Sequence, residues 1–333
     1  PKARVAVCRD MVCTLAGSDP LCDRLKNALA DEDAEVHTVS CLGRCDTAPA
    51  ATINDVPVGG GDSQKLIRML SSPTPAILPH LPRHRREWPF EAYEHEAEHY
   101  RVIRRLRDGE PYDVVGTLKQ SRLAGCGGAA FPTGVKWELV AKQPDPMKFV
   151  ICNADESEPG TFKDRVILAE LPHLVLEGMM IAAHITQAQK AYVFIRHEYE
   201  PEKQLLKAEL ESARSQGLLD GQFDIEIFTS PGGYILGEET ALLECMEDKR
   251  GEPRNKPPFP GQVGLHGKPT LINNVETFAA ATAILNRGVD WWESIGANGC
   301  QGFKFMSVCG HVQKPDVYQI RSGTTVRNLI DMA

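Results

Sequence analysis

The sequence predicts an α/β protein built from more than one unit, and three observations carry that expectation. Stretches of strand length rich in Val, Ile and Phe alternate with longer amphipathic stretches along most of the chain. A proline-dense segment at 71–89 breaks the alternation. After Trp291 and Trp292 the text becomes strand-rich. With 333 residues, 42% of them hydrophobic and 25% charged, the chain is long enough for two or three cores.

The first unit, residues 1–72, reads as a small sheet with helices. Arg4 to Cys8 is extended. A helix enters at Asp19-Pro20, where the missing proline N–H has no helical partner to lose, and Leu21, Leu25, Ala28 and Leu29 share one of its faces. Extended pieces follow at Glu35 to Val39 and Ala50 to Asn54, and a last helix carries Leu66, Ile67 and Leu70. Residues 73–90 hold too many prolines for continuous helix or central strand and read as a linker. Its basic run, Arg83-His84-Arg85-Arg86, is expected to be a solvated tether.

The larger unit spans 91–295: an amphipathic helical stretch, a glycine-rich loop at 125–134, strand Phe149 to Cys152 and a helix after Pro172. Strand Ala191 to Ile195, a charged helix from Pro201 and the alternating strand Phe223 to Phe228 continue the exchange expected of a parallel sheet. The remainder, 296–333, offers strands Phe303 to Val308 and Val317 to Ile320 and a helix opened by Gly323-Thr324-Thr325. That helix stops at Ala333 without cap or polar tail, so the parent protein is expected to continue.

Bulk properties narrow the function. A net charge of −8 argues against a general nucleic-acid binder, so an anionic ligand must be met by local groups. No apolar run reaches bilayer length and the first residues lack a secretory signal, which predicts a cytoplasmic protein without direct membrane insertion. The ten cysteines are too dilute for a disulfide scaffold, and clustered thiols in a reducing compartment suggest metal.

Cys8-x4-Cys13 and Cys41-x3-Cys45 follow two expected strands of one unit, so four thiolates can converge on a [2Fe-2S] cluster or a structural zinc. Cys22 reads as packing. Val5-x-Val7-Cys8-x4-Cys13, Gly17-Ser18 and Cys41-Leu42-Gly43-Arg44-Cys45 before Ala48-Pro49 resemble the thioredoxin-like [2Fe-2S] ferredoxin module of complex I's 24 kDa subunit and related dehydrogenases.

Five further segments sit in the larger unit. The loop from Gly125 through Gly127 and Gly128 to Gly134-Val135-Lys136-Trp137 lets backbone approach a ligand closely and adds one cation, yet fits neither a Walker nor a Rossmann pattern. Asn153-Ala154-Asp155-Glu156-Ser157-Glu158-Pro159-Gly160 puts carboxylates just beyond a strand's carboxyl end, where open α/β sheets hold ligands; a solvated turn or a divalent-metal site stays open. Gly232-Gly233-Tyr234 through Gly237-Glu238-Glu239-Thr240 opens a helix, and Arg254-Asn255-Lys256-Pro257-Pro258-Phe259-Pro260 is stiff and basic. Asn273-Asn274-Val275-Glu276-Thr277 offers paired amides able to read donors and acceptors.

In this order these segments resemble the FMN- and NADH-binding 51 kDa subunit of complex I and its relatives, the diaphorase subunits of NAD-dependent formate dehydrogenases and NAD-reducing hydrogenases. The resemblance implies a thioredoxin-like unit, then a Rossmann-like α/β FMN-binding unit, then the start of a β-grasp-like (SLBB) unit. It implies that Gly125, Gly127, Gly128, Lys136, Asn153, Asp155, Glu156, Tyr234, Gly237, Glu238, Asn273, Asn274 and Thr277 hold FMN. Phe131, Glu156, Glu158, Glu239, Lys256 and Phe259 would line the path of NAD(H), and Cys8, Cys13, Cys41 and Cys45 would hold the [2Fe-2S] cluster. Cys126 stands where the family commonly has arginine and Ala130 where it often has glycine. The family's [4Fe-4S] cysteines are expected only beyond residue 333; Cys300 and Cys309 do not match them and are assigned no cluster.

The implied function is an NADH:acceptor oxidoreductase component, with no catalytic side chain because the flavin accepts the hydride. Its expected partners are an iron-sulfur electron-transfer subunit and a catalytic metal subunit. The fused ferredoxin-like unit favours a soluble dehydrogenase, formate ahead of hydrogen, over complex I. A non-catalytic scaffold subunit with a decayed flavin site is the reading from another class.

Overall fold

The computed structural model describes residues 3–30, 33–58, 64, 67, 68, 86–219 and 223–333. Most of the expected linker and the side chains of Leu66 and Leu70 lie outside these residues.

The first sheet has the order β2-β1-β3-β4. β1 (Ala3–Cys8) is followed by α1 (Met11–Leu15) and α2 (Ser18–Ala28), which return the chain to β2 (Ala34–Val39), parallel to β1. β3 (Ala51–Ile53) and β4 (Val56–Val58) complete the sheet antiparallel. Val5, Val7, Leu21, Cys22, Leu25 and Ile53 form its core, so Cys22 is packing, as its place on the helix face suggested.

The larger unit starts with α3 (Arg101–Arg107), α4 (Val114–Gln120) and α5 (Thr133–Ala141). Its sheet is wholly parallel in the order β7-β6-β5-β8. β5 (Phe149–Ala154) leads through α6 (Lys163–Glu170) and α7 (Pro172–Thr186) to β6 (Lys190–Arg196); α8 (Glu200–Ser215) then carries the chain to β7 (Asp224–Ser230). After α9 (Glu239–Met246), β8 (Thr270–Asn274) enters on the other side of β5 and feeds α10 (Val275–Arg287). β5 is covered on both faces, which explains its unbroken apolar run Phe149 to Cys152. Because succession runs one way from β5 to β7 and the other way to β8, the crevice beyond the carboxyl ends of β5 and β8 is a topological switch point, the place where such sheets bind ligands.

β9 (Phe303–Val308) and β10 (Asp316–Arg321) form an antiparallel pair flanked by α11 (Val289–Ile295) and α12 (Val326–Met332). Phe303, Phe305 and Val317 are part of the main core. The tether expectation fails at Arg86: its guanidinium bonds Glu170 and Asp316 and lies 4.5 Å from the Trp88 ring centre. Trp88 is buried edge-on against Phe305. Local composition cannot distinguish such an arginine from a solvated one, because its carboxylate partners lie 84 and 230 positions away. Arg83, His84 and Arg85 lie outside the described residues.

The first unit docks on the larger one through charge. Arg44 makes a bidentate pair with Glu202 at 2.8 and 2.7 Å, both side chains buried, and Arg165 donates to Asp46 at 2.7 Å. Arg196 donates to the carbonyls of Cys41 and Glu156. At Gly43, any Cβ would fall 2.4 Å from the Tyr199 hydroxyl, so only glycine lets the cysteine loop close on α8's leading turn.

Candidate functional site

A cavity of about 610 Å³ opens at the switch point. Its floor is the end of β5 and the turn after it, Asn153, Asp155, Glu156 and Glu158; one wall is Gly127 and Gly128, the other Tyr234, Gly237 and Glu238, with Asn274 at the end of β8. Four separate segments of the chain thus bring these ten expected ligand residues together.

The glycine loop is pinned at its base, where Gly125 N–H donates to Phe131 O at 2.9 Å and Thr133 N–H to Leu123 O at 2.8 Å. Its tip is then free to face the cavity. Gly127 comes so close to β8 that a Cβ would sit 3.1 Å from the Asn274 side chain, and Gly128 has a φ of +111°. Ala130 also has positive φ, at 53°, in a conformation that glycine adopts without strain.

Asn153 is fixed by donating from Nδ2 to Gly237 O at 2.8 Å and accepting from Asp155 N–H, which ties the acidic turn to the Tyr234–Gly237 turn. Asp155 is buried, and among the described residues its Oδ2 has no hydrogen-bond partner while Oδ1 accepts from Ser157. Burial pushes its carboxyl up to about 6, only partly opposed by Arg196. A buried carboxylate oxygen without a donor is costly unless a ligand supplies one.

Glu156, which lines the cavity, also has hydrogen-bond partners of its own. Its carboxylate accepts from the N–H groups of Asp164 and Arg165 and from the Tyr199 hydroxyl, so it caps α6 beneath the cavity. Burial first, and then the neighbouring Asp164 charge, push it up to about 7. Glu158 is bonded by the Tyr234 hydroxyl at 2.6 Å on the open side. Lys136 and Lys256 both reach Glu239, at 3.2 and 3.0 Å, and Lys256 also reaches Glu238 at 2.8 Å. Burial opposes the charge of Glu239, but the two lysines outweigh it and hold its carboxyl below the usual range. The acidic pair is thus largely neutralised, and Glu158 is the carboxylate of this group without a lysine or arginine partner among the described residues. Phe131 and Phe259 are 46% and 55% exposed, large apolar rings left at the surface.

Gly125, Asn273 and Thr277 lie behind the cavity. Asn273 Oδ1 accepts from Trp137 Nε1 at 3.0 Å, and Thr277 Oγ1 accepts from Cys126 N–H at 2.9 Å. They hold the scaffold of the glycine loop and α5. Sequence reasoning passed over Lys163 and Asp164, which line the cavity at the start of α6. Lys163 pairs with Asp164 at 2.7 Å and Glu276 at 2.9 Å, and those carboxylates keep it charged despite burial. A Lys-Asp pair shortly after Gly160-Thr161 was the available signal. Lys304, 3.0 Å from the Cys126 sulfur, gave none, because strand β9 is distant in sequence.

The four cysteines also assemble. Cys8 has the thiols of Cys13 and Cys41 as side-chain neighbours, and Cys45 has that of Cys41. Backbone N–H groups of Gly43 and Ala50 donate to the sulfurs of Cys41 and Cys13, each at 3.4 Å. Such donors stabilise thiolate, the form that binds iron. Among the described residues no three His, Cys, Asp or Glu side chains surround one point as a single ion needs. Cys8, Cys13, Cys41 and Cys45 would hold a [2Fe-2S] cluster, which takes four thiolates.

A parallel sheet with a polar cavity at its switch point, joined to a four-cysteine unit made of a small sheet and two helices, defines a flavoprotein-type electron-transfer chain. A family model described as the Nuo51 FMN-binding domain matches residues 118–283, and one described as the thioredoxin-like [2Fe-2S] ferredoxin matches residues 1–73. The chain belongs to the Nuo51 flavoprotein family, with the [2Fe-2S] ferredoxin domain ahead of the FMN-binding one. It is similar to an NADH-quinone oxidoreductase component of Aquifex aeolicus, 44% identical over 238 residues, covering 69% of this chain and 56% of the relative. It is also similar to the NAD-reducing hydrogenase HoxS subunit alpha of Cupriavidus necator, 46% identical over 231 residues, covering 67% and 38%. A chain of the NAD+-reducing [NiFe]-hydrogenase in its air-oxidized state superposes with a TM-score of 0.88 at 32% identity, over 100% of this chain and 61% of that one. The chain thus spans about half the length, or less, of these curated relatives. Among the described residues no single helix is long and apolar enough to cross a membrane.

Proposed function

We propose that this chain is the flavin-bearing, NAD(H)-reactive part of a soluble, cytoplasmic multi-subunit dehydrogenase. The observation that carries the reading is the cavity at the switch point with the unpartnered, buried Asp155 oxygen on its floor. Asn153, Asp155, Asn274 and the backbone of Gly127 and Gly128 would hold FMN, with Lys163 supplying positive charge. Phe131, Phe259, Glu158 and the Lys136–Glu239–Lys256 group would meet the dinucleotide. FMN, when bound, supplies two-electron chemistry toward nicotinamide and one-electron chemistry toward iron-sulfur clusters. The residues themselves align the reactants, exclude water and set the local charge.

The test is flavin content of the purified protein with NADH-driven ferricyanide reduction. Absence of both would favour a scaffold role. Replacing Glu158 by Gln is expected to change the flavin potential or NADH affinity, because that carboxylate has no cationic partner among the described residues; no change in either would remove it from the site.

For the terminal substrate we propose formate. The hydrogen reading has its own support, since the hydrogenase chain covers this one completely. Co-purification of the intact complex separates them: molybdenum or tungsten for formate, nickel for hydrogen. The units 1–72, 73–90, 91–295 and 296–333 remain our proposed division.

A further inference from the structure

β9 brings one lysine to the edge of the cavity. Phe303 and Phe305 belong to the main core, so the alternation of a strand turns Lys304 to the opposite side. There its Nζ lies 3.0 Å from the sulfur of Cys126, and Cys126 lines the cavity beside Gly127 and Gly128. The strand is fixed next to this lysine. Phe305 N–H donates to Glu276 Oε1 at 3.0 Å, in the first turn of α10, and Phe162 N–H, just before Lys163, donates to Ser307 Oγ at 2.9 Å. Cys126 N–H in turn donates to Thr277 Oγ1 at 2.9 Å. The glycine loop, the start of α10 and β9 therefore converge on one side of the cavity.

Charge partners set Lys304 apart from the other lysines. Lys163 has Asp164 at 2.7 Å and Glu276 at 2.9 Å, and Lys136 and Lys256 share Glu239. Among the described residues Lys304 has no carboxylate within ion-pair distance, and the acceptor it does meet is a thiol sulfur. Sulfur accepts weakly, and an ammonium partly withdrawn from water has three donors to satisfy. Glu158, the carboxylate without a cationic partner, is bonded by Tyr234 of the facing wall, so an anionic ligand group is favoured on the glycine-loop side.

We propose that Lys304 binds the phosphate of FMN, so that the C-terminal part of the chain completes the flavin site. This rests on the reading that the cavity holds FMN. A phosphate oxygen accepts a charge-assisted hydrogen bond far better than a thiol and would draw the ammonium from Cys126. Lys304 then sets the preference for FMN over riboflavin, which has the same ring and ribityl chain without the phosphate. Contacts to those shared parts stay with Asn153, Asp155 and Asn274.

The test uses flavin-stripped full-length protein, wild type and the variants K304M and K304R, titrated with FMN and with riboflavin by quenching of flavin fluorescence. Far-ultraviolet circular dichroism checks the fold, and K304Q replaces K304M should the methionine not fold. The neutral variant is expected to bind FMN about tenfold to a hundredfold more weakly, with riboflavin affinity unchanged, and K304R to recover most of the loss. An equal fall for both flavins in folded protein overturns the proposal, since it would mean a structural role. So does unchanged FMN affinity, including the case in which NADH binding alone weakens and the lysine belongs to the dinucleotide's phosphates. Wild-type protein that binds neither flavin sinks the FMN reading itself.

Discussion

Asp155 carries the sharpest prediction at the scale of single residues. Its folded carboxyl is raised from 3.8 to about 6 by burial, so its stabilising protonated state is fully present below about pH 4 and lost as pH rises through 6. The flavin-free protein should accordingly lose stability between pH 4 and 6. Asp155→Asn should remove that loss, gaining about 1–3 kcal/mol at neutral pH, while weakening FMN binding about tenfold or more for the lost charged acceptor. Thermal melts and flavin titration read the two opposite signs. Ala130 gives a second prediction. Relieving its left-handed backbone with Ala130→Gly should raise the urea midpoint by the equivalent of about 0.5–1 kcal/mol, the strain of about 1–2 kcal/mol less the added freedom of the unfolded chain. Residue identities such as Asn153, Asp155 and Asn274 were legible because each sits in a short motif at a strand's end. The capping contacts of Glu156 were not, because its donors, the N–H groups of Asp164 and Arg165, meet it only once α6 folds back over it.

Among elements, the docking of the cysteine loop on α8 decides whether the two units act together. Glu202→Ala leaves Arg44 buried and unpaired and should cost about 3–5 kcal/mol. The double replacement R44M/E202L should cost far less, since two apolar side chains of similar size can occupy the same space. Hydrogen exchange of Cys41 to Thr47 should rise in the single variant and stay near wild type in the double one. Many strands and helices were readable from period and punctuation, Pro20, Pro172 and Pro201 each lying in a first helical turn and the unbroken apolar run of β5 announcing burial on both faces, whereas α1, β4 and β8 were not among the expected elements. The contacts between units were not, because Arg44, Arg86 and Arg196 meet partners far along the chain, and surface arginines have the same local signature as buried ones.

At the scale of the whole molecule, Arg196 stands between the cavity at the switch point and the four N-terminal cysteines, its one guanidinium bonding Glu156 O and Cys41 O. Arg196 is thus a buried hydrogen-bonded bridge between the turn after β5 and the loop of Cys41. The central claim is that hydride entering from NADH ends as reducing equivalents on the N-terminal cysteines' cluster. An anaerobic titration of the FMN-loaded protein with NADH, monitored by flavin absorbance and by EPR on the same samples, tests it. The expected result is bleaching of the flavin together with growth of a two-iron signal that the Cys41→Ser variant lacks or shifts. Flavin that dithionite bleaches but NADH leaves oxidised would contradict the account.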